Sequence, residues 1–330
     1  MKAANATPIR LDFEDYHPPR DDFLNEVLDG LSRPQKTLPS KYFYDEHGSR
    51  LFDEITHLDE YYPTRTEQAI MVQHADEIGS VLGAGTLLVE YGSGSSVKTR
   101  QLLEHTPDLA GYIPVDISKE HLLATAAELS ADYPHLNITP VCADYTGVFE
   151  LPIDRARVKH IVVYFPGSTI GNFTRSQAAV FLRHVAEVCG PGGGFLVGAD
   201  LEKGTAILEA AYNDKKGVTA DFNLNILRRI NAELGADFEL MHFRHRAFYN
   251  RPEGRIEMHL VSTREQEVHV GHATFRFAEG ETILTEYSHK YRIEDFHALL
   301  ATVGFVPRQV WTDARNLFSI HYLQIPAKGV

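Results

Sequence analysis

Glu90, Gly92, Gly94 and Ser95 lie in LLVEYGSGSSVKTRQLL (87–103), where an acidic-x-Gly-x-Gly-Ser turn separates an apolar run from a resumed helical pattern. Such a loop cradles a small ligand, and three templates compete for it. The phosphate-binding G-x-x-x-x-G-K-[ST] fits at Gly92, Lys98 and Thr99 but has Val97 where its second glycine belongs. The dinucleotide fingerprint G-x-G-x-x-G fits at Gly92 and Gly94 and fails at the same valine. That last glycine lets a helix N-terminus close on a pyrophosphate, so its loss counts against both. A bulky ligand without phosphate, such as S-adenosylmethionine, suits what remains.

Two further strand-like segments end in acids. Asp116 closes GYIPVDIS, 24 positions after Gly92, near the ~20 expected of a carboxylate that grips ribose hydroxyls. Asp144, in ITPVCADY, could accept from an adenine amino group, with Tyr145 flanking the ring. Lys98 is placed to pair with a ligand carboxylate. One such acid reads equally well as a helix cap or a solvated turn; an acid after each of three strands is harder to dismiss. A fourth segment ends in YFPGSTIGNF (164–173), a rigid loop in which Asn172 can both donate and accept.

The elements that must hold these residues form an alternating pattern. TLLVEYG, GYIPVDIS, ITPVCADY, KHIVVYFPG and GGGFLVGADL are buried-strand runs separated by helical stretches, such as KEHLLATAAEL and QAAVFLRHVAEVCG. That alternation predicts a parallel sheet with helices on both faces. Ile70, Ala75, Ile78 and Leu82 share one helical face. In EDFHALLATVGF, Phe296, Leu299, Leu300 and Val303 do the same before Gly304. FVPRQVWTD and FSIHYLQI then follow with a connection too short for a parallel crossover, so they pair antiparallel. The expected fold is α/β: a class I methyltransferase core, Rossmann-like, with a mostly parallel sheet and a terminal antiparallel hairpin. We assign residues 68–202 and 291–330 to that core. Residues 1–67 and 203–290 are expected to form a discontinuous α+β substrate domain over the strand ends, because the second block is too long for a loop.

Composition bounds the partners. A formal charge of −13 with no Lys/Arg cluster disfavours nucleic acid and anionic membranes. No apolar run approaches the ~18 residues of a membrane span. The first residues, MKAANATPIRLDFEDYHPPRDDF, lack the apolar region of a secretory signal, so a cytoplasmic protein is expected, as a monomer. Cys142 and Cys189 make no disulfide or metal framework. His242/His245 and His269/His272 lack helical spacing with an acidic partner, so no metal site is expected.

YYPTRTE (61–67), GSGSSVKTR (92–100), VDIS (115–118), FPGSTIGNF (165–173), AYNDKKGVTADFNLNILRRIN (211–231) and TEYSHKY (285–291) resemble the histidine Nα-methyltransferases of ergothioneine biosynthesis. The likeness runs from about residue 40 to the C-terminus, and FPGSTIGNF and GVTADFNLN carry more of it than the glycine loop. It implies S-adenosyl-L-methionine as cofactor, S-adenosylhomocysteine as its product, and trimethylation of the α-amino group of L-histidine to hercynine. It further implies that Gly92, Gly94, Lys98, Asp116, Asp144 and Tyr145 hold the cofactor. Asn172 and Tyr212 would hold the substrate carboxylate, and Tyr44, the catalytic candidate, would face the α-amine. Tyr62, Glu286 and Ser288 would recognise the imidazole, with Met258 lining that pocket. Tyr91 stands where the resemblance implies a leucine in many relatives.

The residue chemistry agrees. An ionised Glu286 only accepts and would take an imidazole N–H, while Ser288 can serve the other nitrogen either way. A pocket built for hydrogen bonds rejects isosteres lacking them by up to ~10⁴–10⁵-fold. Methyl transfer needs a neutral amine in line with the sulfonium–methyl bond, so most of the rate should come from positioning. The proton is expected to leave through Tyr44 or water. Two alternatives remain open at this level: the same fold methylating a tryptophan-type amino acid, or a non-catalytic module that binds the cofactor.

Overall fold

A computed structural model describes residues 13–16, 20–94, 97–106, 108–147 and 149–327. Ser95, part of the glycine-turn pattern, lies outside them, as do the first twelve residues. The fourteen strands assigned in these residues are β1 Glu14–Tyr16, β2 Lys36–Thr37, β3 Thr86–Tyr91, β4 Gly111–Asp116, β5 Val141–Ala143, β6 His160–Phe165 and β7 Gly194–Asp200, followed by β8 Phe243–Asn250, β9 Arg255–Ser262, β10 Gln266–Val270, β11 Ala273–Phe277, β12 Thr282–His289, β13 Val306–Thr312 and β14 Phe318–Gln324.

The main sheet has the order β1-β5-β4-β3-β6-β7-β14-β13. β1 through β7 of this sheet run parallel, and β14 is antiparallel to both β7 and β13. Burial on both faces explains why the central strands read as continuous apolar runs. Along β3, Leu87, Val89 and Tyr91 enter one hydrophobic cluster and Leu88 enters the other. Helices complete each layer. Arg175–Cys189 starts with a capping box, Thr174 and Gln177 satisfying each other's backbone, and ends at Gly190. Chain reversal places β4 on one side of β3 and β6 on the other, which opens a crevice at their carboxyl ends.

A third cluster joins Phe23–Tyr62 to Leu208–Ile283, under a second sheet ordered β2-β12-β9-β8. Two details depart from the expected boundaries. β1, placed with the substrate-side block by sequence, pairs in parallel with β5 and extends the main sheet, because β5 otherwise offers an open edge. The helix Tyr62–Gln73 crosses the boundary at 67/68: Tyr62 is in the third cluster, while Ile70 and Met71 pack on the main sheet. This helix stops at His74 and a second, Ala75–Leu82, resumes the same apolar face; the His74 ring packs on Trp311, whose indole N–H donates to Glu77.

Candidate active site

The crevice is a cavity of about 1630 Å³ between the main sheet and the second unit. Its inner end narrows to a chamber of about 40 Å³. The strand ends of the main sheet furnish one half. Gly92 and Gly94 take φ of 73° and 47°, a backbone that favours glycine, and a Cβ at either would intrude into open space. Asp116 accepts from the N–H groups of Ser118 at 2.9 Å and Gly94 at 3.3 Å. Burial raises its pKa in spite of those two donors. Asp144 takes the Thr146 N–H at 2.9 Å and the Lys41 ammonium at 2.9 Å. Burial alone would raise this carboxyl, but Lys41 and Thr146 together hold it low. Tyr145 stacks beside Tyr91 and also lines the cavity.

Three groups of this half carry no site assignment in the sequence reading. Glu90 accepts from Thr99 at 2.7 Å and Tyr112 at 2.6 Å, and burial pushes it up to about 7. Glu67, fully buried, accepts the Gly167 N–H at 3.0 Å and the Lys98 ammonium at 2.5 Å. Lys98 therefore stands in the cavity wall already oriented. Lys41 reaches Asp144 from the second unit. In sequence Glu90 is visible as the acid of the glycine-turn pattern, whereas Glu67 and Lys41 look like ordinary solvated charges, although Glu67 falls within the YYPTRTE stretch. Ser93 adds a buried hydroxyl in the glycine turn for which no hydrogen-bond partner is found among the described residues.

The other half comes from β12 and from the loop after β6. β12 pairs with β9 in register until Leu284/His259, then resumes at Glu286/Met258. Thr285 is the extra residue, and its hydroxyl donates to Asn223 and to the Met258 carbonyl. A bulge of one residue exchanges the two faces of a strand. Glu286 and Ser288, rather than Thr285 and Tyr287, thus share the inward face with Ile283 and both line the inner chamber. Burial pushes Glu286 up to about 7, with Lys290 opposing, and no hydrogen bond to it is found among the described residues. The Tyr212 hydroxyl donates to Ser288 Oγ at 2.7 Å.

Asn172 ends a short 3-10 turn, Thr169–Asn172, and borders both the large cavity and the chamber. A Cβ on Gly171 would meet the His289 carbonyl oxygen at 2.8 Å, so glycine is what lets this loop lie against β12. Ser168, itself at φ 58°, accepts the Asp200 N–H at 2.8 Å and ties the loop to β7. Tyr44 follows the turn Ser40–Phe43 and borders both spaces, packed edge-on against Phe52 and Phe222. Burial first, and the neighbouring Glu286 second, hold its hydroxyl far above an ordinary phenol's pKa. It stays protonated and can hydrogen-bond an amine without taking its proton as a phenolate.

Two residues named from the resemblance lie elsewhere. Tyr62 borders neither space: its hydroxyl donates to Asp200 at 2.8 Å and accepts from Lys203 at 2.7 Å. Its neighbour Tyr61 borders both, because adjacent residues at a helix start point about 100° apart. Met258 is directly across from Glu286 but is buried in the third cluster beneath the chamber and does not line it. The Asp200 group is a buried ionic cluster. Lys203 approaches at 2.5 Å and Lys290 at 2.8 Å, and burial lowers the Lys203 pKa to about 8.

Residues 23–325 match the family of histidine-specific, S-adenosylmethionine-dependent methyltransferases. The chain belongs to that family. It is 44% identical to a histidine N-alpha-methyltransferase of Mycolicibacterium smegmatis, over 89% of this chain and 92% of that one. The corresponding protein of Mycobacterium tuberculosis is 43% identical with the same coverage. Ergothioneine biosynthesis protein 1 of Neurospora crassa is 32% identical over 91% of this chain, which spans 35% of that protein's length. The chain is thus an S-adenosylmethionine-dependent methyltransferase with an α/β, class I core. The donor set fits the cofactor: an open glycine turn, three strand-end carboxylates, an oriented lysine and an orphaned Ser93 hydroxyl surround one space. No helix among the described residues is long and apolar enough to cross a membrane.

Proposed function

We propose that this methyltransferase transfers three methyl groups in succession to the α-amino group of L-histidine, giving hercynine as the first step of ergothioneine biosynthesis. The observation that carries this reading is the pairing of Glu286 and Ser288 on one face of β12, at the closed end of the cavity. Glu286 accepts an imidazole N–H there, and Ser288 serves the second nitrogen. Asn172 and Tyr212 hold the substrate carboxylate. Tyr44 hydrogen-bonds the α-amine and Tyr61 walls the chamber beside it.

The cofactor supplies an electrophilic methyl on a sulfonium. Asp116 holds ribose hydroxyls, Asp144 and Tyr145 hold adenine, and Gly92, Gly94, Lys98 and Glu90 hold the amino-acid end, with Lys98 on the carboxylate. Tyr44 keeps its own proton, so the ammonium proton leaves to water, and the rings of Tyr44, Phe52 and Tyr61 face the increasingly methylated nitrogen. Residues 20–61 and 203–290 act as the substrate-recognition unit. The setting we propose is a cytoplasmic monomer.

An endpoint mass assay tests this. The enzyme is incubated with S-adenosylmethionine and the twenty amino acids, and histidine alone is expected to gain up to three methyl groups. An L-tryptophan methyltransferase of Psilocybe serbica is 25% identical over 89% of this chain, so methylated tryptophan is the informative contrary result. It would overturn the Glu286/Ser288 assignment. Intact cofactor binding with no product would make the protein a binding module.

A further inference from the structure

Lys290 belongs to TEYSHKY but has no assigned part in the reaction. It lies two residues beyond Ser288, on the same side of the chain as Glu286 and Ser288, and its side chain is buried. Its ammonium has three N–H groups and three acceptors: Asp200 Oδ2 at 2.8 Å, Ser288 Oγ at 2.7 Å and the Tyr212 hydroxyl at 3.2 Å. An ammonium only donates, so the direction of all three bonds is fixed. The Tyr212 hydroxyl, accepting from Lys290, donates in turn to Ser288 Oγ. Ser288 Oγ therefore accepts twice, which fills both lone pairs. Its own O–H can only donate, and no acceptor for it is found among the described residues.

The chamber then shows a ligand one donor, Ser288, beside one acceptor, Glu286. A neutral imidazole has the complementary pair, one N–H and one bare nitrogen. An imidazolium has two N–H groups and would bring one against the Ser288 proton and the Lys290 charge behind it. An indole would satisfy Glu286 and leave Ser288 unpaired, which a buried hydroxyl tolerates poorly. When Tyr212 turns its O–H to a substrate carboxylate, Lys290 still fills one Ser288 lone pair and repels a second cation.

We propose that Lys290 is a positioning residue that biases Ser288 toward donating, by filling one of its lone pairs and by its charge, so that the chamber selects the neutral imidazole ring. The proposal rests on the reading of Glu286 and Ser288 as the imidazole site. Lys290 acts through Ser288 and does not need to touch the substrate. Asp200 keeps Lys203 and the Tyr62 hydroxyl as partners when Lys290 is removed, so Lys290→Met leaves no isolated buried carboxylate.

The test is a double-mutant cycle on histidine affinity, measured by calorimetry with S-adenosylhomocysteine bound, for the native enzyme, Lys290→Met, Ser288→Ala and the pair. Each single change is expected to weaken histidine roughly ten-fold to a hundred-fold, and the pair no more than Ser288→Ala alone. A purely structural role would give additive losses. Additivity, or a Lys290→Met enzyme with native affinity, overturns the proposal and leaves the histidine reading standing. Native affinity in Ser288→Ala overturns the imidazole assignment and the proposal with it. A melting curve reports folding; if Lys290→Met does not fold, Lys290→Gln, which keeps two N–H donors without the charge, carries the same cycle.

Discussion

The two ends of the cavity are built in opposite ways. At the cofactor end every acid is partnered by the protein itself: Asp116 by backbone N–H groups, Asp144 by Lys41, Glu67 by Lys98 and Gly167, Glu90 by Thr99 and Tyr112. At the substrate end Glu286 has no such partner among the described residues and is pushed up to about 7 by burial. The first end is organised before any ligand arrives, by strands whose order alone dictates where their termini meet. The second is left short of two hydrogen bonds, one accepted by Glu286 and one donated by Ser288, that the right substrate brings. Generic binding can be satisfied in advance; discrimination needs a group that only one ligand satisfies.

Breaking the cofactor end should have the largest effect and should not spread. Asp116→Ala removes a carboxylate proposed to hold ribose hydroxyls, a charge-assisted contact worth roughly ten-fold to a hundred-fold in affinity. The KM for S-adenosylmethionine is expected to rise by that factor while the KM for histidine changes less than two- to three-fold. Equal rises in both would mean that the two ends are coupled through Asp116 and the contrast is false.

Glu286→Gln sharpens the other end and separates function from stability. Histidine kcat/KM should fall about ten-fold at pH 8, where the native carboxylate is ionised and accepts without competition. Stability should move the opposite way. Burial raises the folded carboxyl from the ordinary glutamate value of about 4.5 to about 7, so the folded state keeps its proton longer than the unfolded chain. The ionised form is penalised by folding: the cost is absent below the unfolded pKa, grows between the two values, and is complete above about 7. The variant should therefore melt higher than the native enzyme at pH 8 and show no advantage near pH 4. A stability gain that is the same at both pH values would deny Glu286 its strain.

How much of this was legible in the sequence follows the same division. The glycine turn, Asp116 and Asp144 are one strand apart in a repeating βα pattern, so their convergence could be read from order alone, and the structure brings them to one cavity. The β13–β14 pair was dictated by a short connection. β1 was not legible, because three exposed residues after an irregular start carry no period. At the substrate end the decisive event is the Thr285 bulge, and nothing in ILTEYSH, with no glycine or proline, announces it. Without it the alternation would have aimed Thr285 and Tyr287 inward. The motif resemblance supplied Glu286 and Ser288 where periodicity would have misdirected them. Lys290 had a signal that went unused: residues 286, 288 and 290 alternate onto one face.

The adjacent tyrosines give the finest test of that limit. The family likeness names Tyr62 for the imidazole, whereas the structure turns Tyr61 to the chamber and spends the Tyr62 hydroxyl on Asp200 and Lys203. Tyr62→Phe should then cost stability of about 1.5–3 kcal/mol, the range for a hydrogen bond to a charged group. Histidine KM should stay within a factor of about two, because Asp200 retains both lysines. Tyr61→Phe should do the reverse, with an unchanged melting temperature and a histidine KM raised a few-fold. Its hydroxyl makes no hydrogen bond among the described residues, and its ring lies edge-on to Tyr212 at 6.3 Å. If Tyr62→Phe alone raises the KM, the helix start must rotate on binding to exchange the two rings, and the substrate end is then less settled before its ligand than the unpartnered Glu286 already implies.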